Sequence, residues 1–386
     1  MPEPVGIPLG APYARGAAAA RTDSLALHRV VFWMLCAAKL VTGWGVQWDI
    51  QWHVRIGRDT FWIAPHLMTY AGVTLAGLLS FGMLALDTLR GGAPVARLRV
   101  AGLEGTRGFH LAAWGMALTV LAAPIDDLWH RLFGLDVTLW SPPHLLGIAG
   151  GVVNSWGCLL IARELYADGA ARLLGVAVAG AGLFRGLHLT VEPSSLVAYM
   201  HGGVRFFTLA ILSALILPLA LIPAARLGGQ RWMPLAVLAL VIATGVMGAW
   251  IARVGFETLQ PVSVIEEEIA KDPTSPIALA NAIARKSGGT PGAIGGLFHL
   301  ISVIPVLALV LVGPRQRPEL AAMAYGAALL VTSSRAFAGN PAFAPQVPGA
   351  PETAVALLLV LVAGAIGGHL GRRLSDALEP GAVSRV

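Results

Sequence analysis

The sequence predicts an all-α polytopic membrane helix bundle of about ten transmembrane helices. Three observations carry that expectation. Of the 386 residues, 56% are hydrophobic and 12% charged, about half the charged share of a soluble domain. The mean hydropathy is +0.71. The apolar residues also fall in runs close to the roughly 20 residues that a helix needs to cross a bilayer.

The elements follow in chain order. The Ala-rich segment before Arg29 lacks the apolar core of a secretory signal, so residues 1–28 read as a cytoplasmic tail and the run near residue 38 as a retained first helix. Runs near 77, 116 and 154 complete a four-helix module over residues 29–166. Six more, near 181, 214, 243, 303, 327 and 362, make a second membrane module over residues 167–386. The longest polar stretch is 257–292, a solvated connector in which Glu266 to Lys271 suits a short amphipathic helix. The Gly-rich pieces SGGTPGAIGG and AGGVV lack Walker or dinucleotide spacing and suit close helix packing. Cys36 and Cys158 sit inside apolar runs, far from any CxxC pattern, and read as small packing residues.

A net charge of +6 does not point to nucleic acid, because the basic residues punctuate apolar runs and work as topology signals. With the N-terminus inside, the inner loops hold Arg15, Arg21, Arg29, Arg90, Arg97, Arg99, Arg107, Arg163, Arg172, Arg226, Arg231, Arg315, Arg317, Arg372, Arg373 and Arg385. That is sixteen of the 27 Lys and Arg residues, against ten outside and Lys39 alone within a span. The bias puts both termini in the cytoplasm of a cell whose inner membrane holds the chain. The outer ends of the first two hairpins then face the extracytoplasmic side.

Those ends carry the chemistry. In WDIQWHVRIGRDTFWIAPH, residues 48–66, Asp49 and His53 share a helix face at i and i+4, and Pro65 suits the first turn of a second helix that returns His66 toward the pair. In DDLWHRLFGLDVTLWSPPH, residues 126–144, Asp126, His130 and His144 repeat the pattern behind Pro142 and Pro143. Trp52 matches Trp129, Gly57 matches Gly134, Asp59 matches Asp136, and Leu67 matches Leu145. Two imidazoles and a carboxylate suit copper, iron or zinc with coordination positions left open. The prolines break the helix between the paired histidines, which argues against stacked haems. Arg58, Asp59 and Asp136 are candidates for orienting the ligands, with Arg58 and Arg131 as ion-pair partners for the two aspartates.

A weaker third group is His188, Glu192 and His201, and His299 lies near enough to complete a site. His28, His110 and His369 fall on the cytoplasmic side. Lys39, in mid-helix, is expected to face the bundle interior or water.

The first stretch resembles the metal motif in the C subunit of the copper membrane monooxygenases, the family of particulate methane and ammonia monooxygenases. Trp52, His53, Arg58, Asp59, Thr60 and His66 match its W-H…R-D-T…P-x-H context, with Asp49, His53 and His66 at the ligand positions. The family's second set, Asn-x3-His-x13-His, matches Asp126, His130 and His144 with aspartate in place of asparagine. The resemblance spans roughly residues 28–166. It implies copper at a membrane-embedded, outward-facing site and dioxygen-dependent oxidation of a small apolar substrate or ammonia. Asp49, His53 and His66 would be the catalytic ligands, and Asp126, His130 and His144 would hold a second ion. Further monooxygenase-type subunits or a homo-oligomer, and membrane lipid, are the implied partners. Two rival readings stand beside it: a membrane metal transporter or metal-delivery protein, and a non-catalytic paralogue that keeps metal for stability.

Overall fold

In the computed structural model of the protein the described residues are 11–57, 60–91, 95, 97–133, 140–191, 198–292 and 296–379, with backbone alone described for 11–23, 130 and 296–298. The helices are α1 (Ala11–Arg55), α2 (Ala64–Leu89), α3 (Arg107–Phe133), α4 (Pro142–Leu165), α5 (Ala170–His188), α6 (Thr208–Ile216), α7 (Pro218–Gly228), α8 (Met233–Leu259), α9 (Ile265–Lys271), α10 (Pro276–Ser287), α11 (Val303–Val312), α12 (Pro318–Ala338) and α13 (Ala350–Leu378). Among the described residues nine helical segments are long and apolar enough to cross a membrane, α6 and α7 counting as one with the 3-10 turn before them. The protein is a helical membrane bundle.

The eighth apolar run differs from its neighbours. Only Val303–Val312 is α-helical, preceded by a 3-10 turn over Gly296–Ser302. Pro305 favours a helix start nearby and cannot donate to a preceding turn, so the residues before it wind more tightly. At about 2.0 Å per 3-10 residue and 1.5 Å per α residue the segment still spans about 29 Å, close to the hydrocarbon thickness.

Contacts between helix ends show that this segment crosses the bundle. On one face Arg29 donates to Leu165 O (3.1 Å), joining the start of the membrane-length part of α1, Ser24–Arg55, to the end of α4. Arg107 donates to Ala377 O (2.9 Å), joining the start of α3 to the end of α13. Arg172 reaches Leu227 O (3.0 Å), and Arg226 reaches both Arg315 O (3.3 Å), just after α11, and Asp376 (2.6 Å). At the other face His188, ending α5, stands beside His299, just before α11. Ser287 donates to Asn340, after α12 (2.8 Å). Odd-numbered passes therefore start, and even-numbered passes end, on the Arg-rich face. The nine long segments and this shorter one together bring the start of the first membrane-length span, Ser24, and the end of the last, Leu378, to that same face.

The basic face also carries a β-hairpin absent from the expectations, Arg97–Val100 paired antiparallel with Leu103–Thr106. Its two-residue turn holds Ala101 and Gly102 at φ +50° and +82°, the positive pair that a tight hairpin turn requires. There His28 meets Asp87 (3.0 Å), His110 donates to Leu98 O (3.1 Å) and His369 lies 3.6 Å from Glu319.

Within lipid, helices gain little from apolar burial and associate through close packing of small residues. α1 and α2 meet where a Cβ on Gly72 would strike Thr42 Oγ1 and lie 2.7 Å from Ala38 O. α3 and α4 meet where a Cβ on Gly150 would lie 2.5 Å from Thr119 Oγ1 and 2.6 Å from Gly115 O. The same contact is built twice. Ala38, Thr42, Gly45 and Asp49 correspond to Gly115, Thr119, Ala122 and Asp126, while His66, Thr69 and Gly72 correspond to His144, Gly147 and Gly150. Even the hydrogen bonds repeat, Thr42 to Ala38 O (3.1 Å) and Thr119 to Gly115 O (3.2 Å). The buried core continues from this region into the second half, where Phe32 packs on Gly175 and residues such as Phe184, Val237 and Tyr325 are fully enclosed.

Gly72→Ala and Gly150→Ala should each lower stability by about 1–3 kcal/mol through overpacking. Gly77→Ala, facing open space, should leave the melting temperature of detergent-solubilised protein unchanged or raised.

Candidate metal centre

α1 runs unbroken to Arg55 and α2 begins at Ala64 with Pro65 in its first turn. The shared i and i+4 face and the returning histidine follow from those bounds. Asp49 Oδ1 lies 3.4 Å from His53 Nδ1 and 3.2 Å from His66 Nε2. One donor atom from each of the three residues falls within 4.8 Å of the others, and all three side chains are partly buried. His53 Nδ1 is also 2.9 Å from Asp49 O. A carbonyl only accepts, so that contact places the proton on Nδ1.

The surroundings hold this end of α1 in place. Trp44 donates to Thr244 O (2.9 Å) and Gln47 to Gly245 O (3.0 Å), both on α8. Below the triad Trp52 stacks on Phe256 (5.8 Å, 20°), with the Arg55 guanidinium 3.9 Å over the same ring. Gly255 leaves the room that the Trp48 ring fills. The last carbonyls of α1 are then taken in turn by the 257–292 stretch. Asn281 donates to Val54 O (3.0 Å), Ser263 to Arg55 O (2.7 Å) and the Val264 N–H to Ile56 O (2.8 Å). Gly57, at φ +74° and facing Ile265, turns the chain beneath this cap. The stretch read as a solvated connector is thus docked on the helix end that carries Asp49 and His53, through α9 and α10. On the other side Phe61, Trp62 and Tyr70 form an aromatic rim beside His66, with Trp62 71% exposed.

The second hairpin repeats the core of the arrangement with the same atoms. Asp126 Oδ1 lies 3.3 Å from His144 Nε2, and the continuous α3 carries His130 one turn beyond Asp126. The His130 side chain, together with Arg58, Asp59, Asp136 and Glu192, lies outside the described residues. Arg131 pairs with Asp127 at 2.7 Å.

Of the third group, Glu192 lies outside the described residues, and the two histidines differ in their surroundings. His188 is buried and meets the His299 ring edge-on at 4.7 Å, stacked on Phe184, whereas His201 is exposed. Among the described residues only Asp49, His53 and His66 form a three-residue group able to hold a metal. Comparison with models of protein families, with curated proteins and with solved structures finds no match to this chain.

Asn281→Ala should cost about 1 kcal/mol by leaving the Val54 carbonyl without its partner. Hydrogen exchange should speed up over residues 52–57 while exchange in α3 and α4 stays the same.

Proposed function

We propose that this protein is a copper-binding integral membrane protein similar to the C subunit of the copper membrane monooxygenases, working within a complex that oxidises a small apolar substrate or ammonia with dioxygen. The observation that carries the reading is the convergence of Asp49, His53 and His66 from two helix ends onto one point. Their donor chemistry fits copper: two neutral imidazoles and one carboxylate, with iron and zinc as weaker fits. The duplicated Asp126 and His144 contact supports a second ion nearby, completed by His130.

The positive-inside rule favours a cytoplasmic Arg-rich face, with both hairpin ends on the extracytoplasmic side of the inner membrane. Copper bound there would supply one-electron and dioxygen chemistry. The chain's own residues set its conditions. Asp49 contributes the anionic ligand, and its carbonyl fixes the tautomer of His53. The Trp52, Phe256 and Arg55 stack immobilises the last turn of α1. The Phe61, Trp62 and Tyr70 rim presents aromatic surface where an apolar substrate dissolved in the membrane would arrive, and it limits water at the site. Asp126 in place of asparagine adds one negative charge to the second set and favours a divalent ion there.

Purified protein loaded with copper and washed should lose about one equivalent in His53→Ala, His66→Ala, and a second in Asp126→Ala, His144→Ala, by elemental analysis. Metal content equal to wild type in both would overturn the assignment. Oxygen-dependent substrate turnover in native membranes, lost in Asp49→Ala, separates an oxygenase from a protein that only carries or stores metal.

A further inference from the structure

Two cysteines that the sequence offers as packing residues meet in the structure. Cys36 on α1 and Cys158 on α4 are both free and buried, and the antiparallel α1/α4 register that sets Arg29 against Leu165 O and Lys39 against Gly151 O brings them to one level of the bundle, close enough for each to influence the other's ionisation. Cys158 Sγ is itself 3.8 Å from Asn154 Oδ1, and the Asn154 amide is anchored on Ala112 O (2.8 Å). One turn along α1 from Cys36, Lys39 enters the same pocket. Its Nζ donates to Gly151 O (3.2 Å), and its Cε lies against Gly182 of α5, 3.7 Å from where a Cβ would stand.

The charge there needs an explanation. An ammonium in the middle of a membrane bundle is expensive and normally finds a counter-charge. Among the described residues no carboxylate comes within ion-pair distance of Lys39, and a carbonyl supplies only a partial charge. The ionisable groups that Lys39 does face are the two thiols.

We propose that Cys36 and Cys158 form a binding site for a soft monovalent metal cation of the Cu(I) class, held between two thiolates with Lys39 as the balancing charge. Two thiolates and one monovalent cation sum to −1, and the ammonium brings the cluster to zero, the state a low-dielectric interior tolerates best. A divalent ion would leave it at +1. Thiolates select soft cations over hard, oxygen-seeking ones. Binding releases the two thiol protons, and no electron moves. The site lies thirteen residues before Asp49 on α1, about 20 Å along the helix. It shares no ligand with the Asp and His group, so each site stands or falls alone.

The test uses full-length reduced protein in detergent, loaded anaerobically with Cu(I), in a variant carrying His53→Ala, His66→Ala, Asp126→Ala and His144→Ala. That variant should keep one equivalent of Cu(I) with sulfur neighbours in its X-ray absorption spectrum. Adding Cys36→Ser or Cys158→Ser should abolish the bound equivalent. Adding Lys39→Met should weaken it at least about tenfold in competition with a Cu(I) chelator, the scale expected on losing a buried charge partner. A spectrum without sulfur neighbours overturns the proposal with both thiols intact, whatever the serine variants do. Unchanged Cu(I) content in a Cys36→Ser protein of native helicity, or unchanged affinity in Lys39→Met, overturns it as well.

Discussion

The close approach of the two helices within each N-terminal hairpin is the constraint on which the rest of the structure depends. Gly72 against Thr42 and Gly150 against Thr119 bring the backbones nearly into contact. That contact fixes the register of each hairpin. One turn of slippage would carry the aspartate about 5 Å from its histidine. The geometry of the Asp and His groups is thus set by residues with no ligand chemistry, roughly two turns away from them. The Thr42 and Thr119 hydroxyls bond carbonyls of their own helices, Thr119 reaching Gly147 O of α4 as well, and these oxygens are the atoms nearest the glycine opposite.

Polar groups are arranged in strata across the bundle. Arginines at the basic face satisfy helix-terminal carbonyls such as Leu165 O and Leu227 O, which neither lipid nor a neighbouring turn would serve. The middle holds Lys39 and the two thiols. At the far face the carboxylates and imidazoles are grouped on hairpin ends, where α8 and the 257–292 stretch enclose one set. The second set is more exposed, with Leu128, Leu132, Phe133 and Trp140 projecting from the same hairpin.

The sequence made some of this readable and not the rest, for physical reasons. The apolar runs and the Asp49, His53 and His66 grouping were legible because bilayer thickness, helix periodicity and proline placement are local properties. The duplication of the Asp and His pattern was legible too, while the matching Thr and Gly pairs carry no chemical signature that singles them out within apolar runs. The β-hairpin had a signal in the alternation of RLRV and the following Ala-Gly. The eighth pass looked like its neighbours because hydropathy does not register a change from α to 3-10 winding. Contacts such as Trp44 with Thr244, 200 residues apart, or Cys36 with Cys158, depend on which helices become neighbours, and no local pattern states that.

The cap on α1 has a consequence for how the protein is made. Ser263 reaches Arg55 across 208 residues of chain, and at ribosomal speeds of about 5–20 residues per second that separation is about 10–40 s of translation. During that interval the first hairpin can already be in the membrane, with its aspartate and histidines together but its last carbonyls bare. Assembly of the centre therefore has an early, open stage and a late, closed one, timed by the length of the intervening chain.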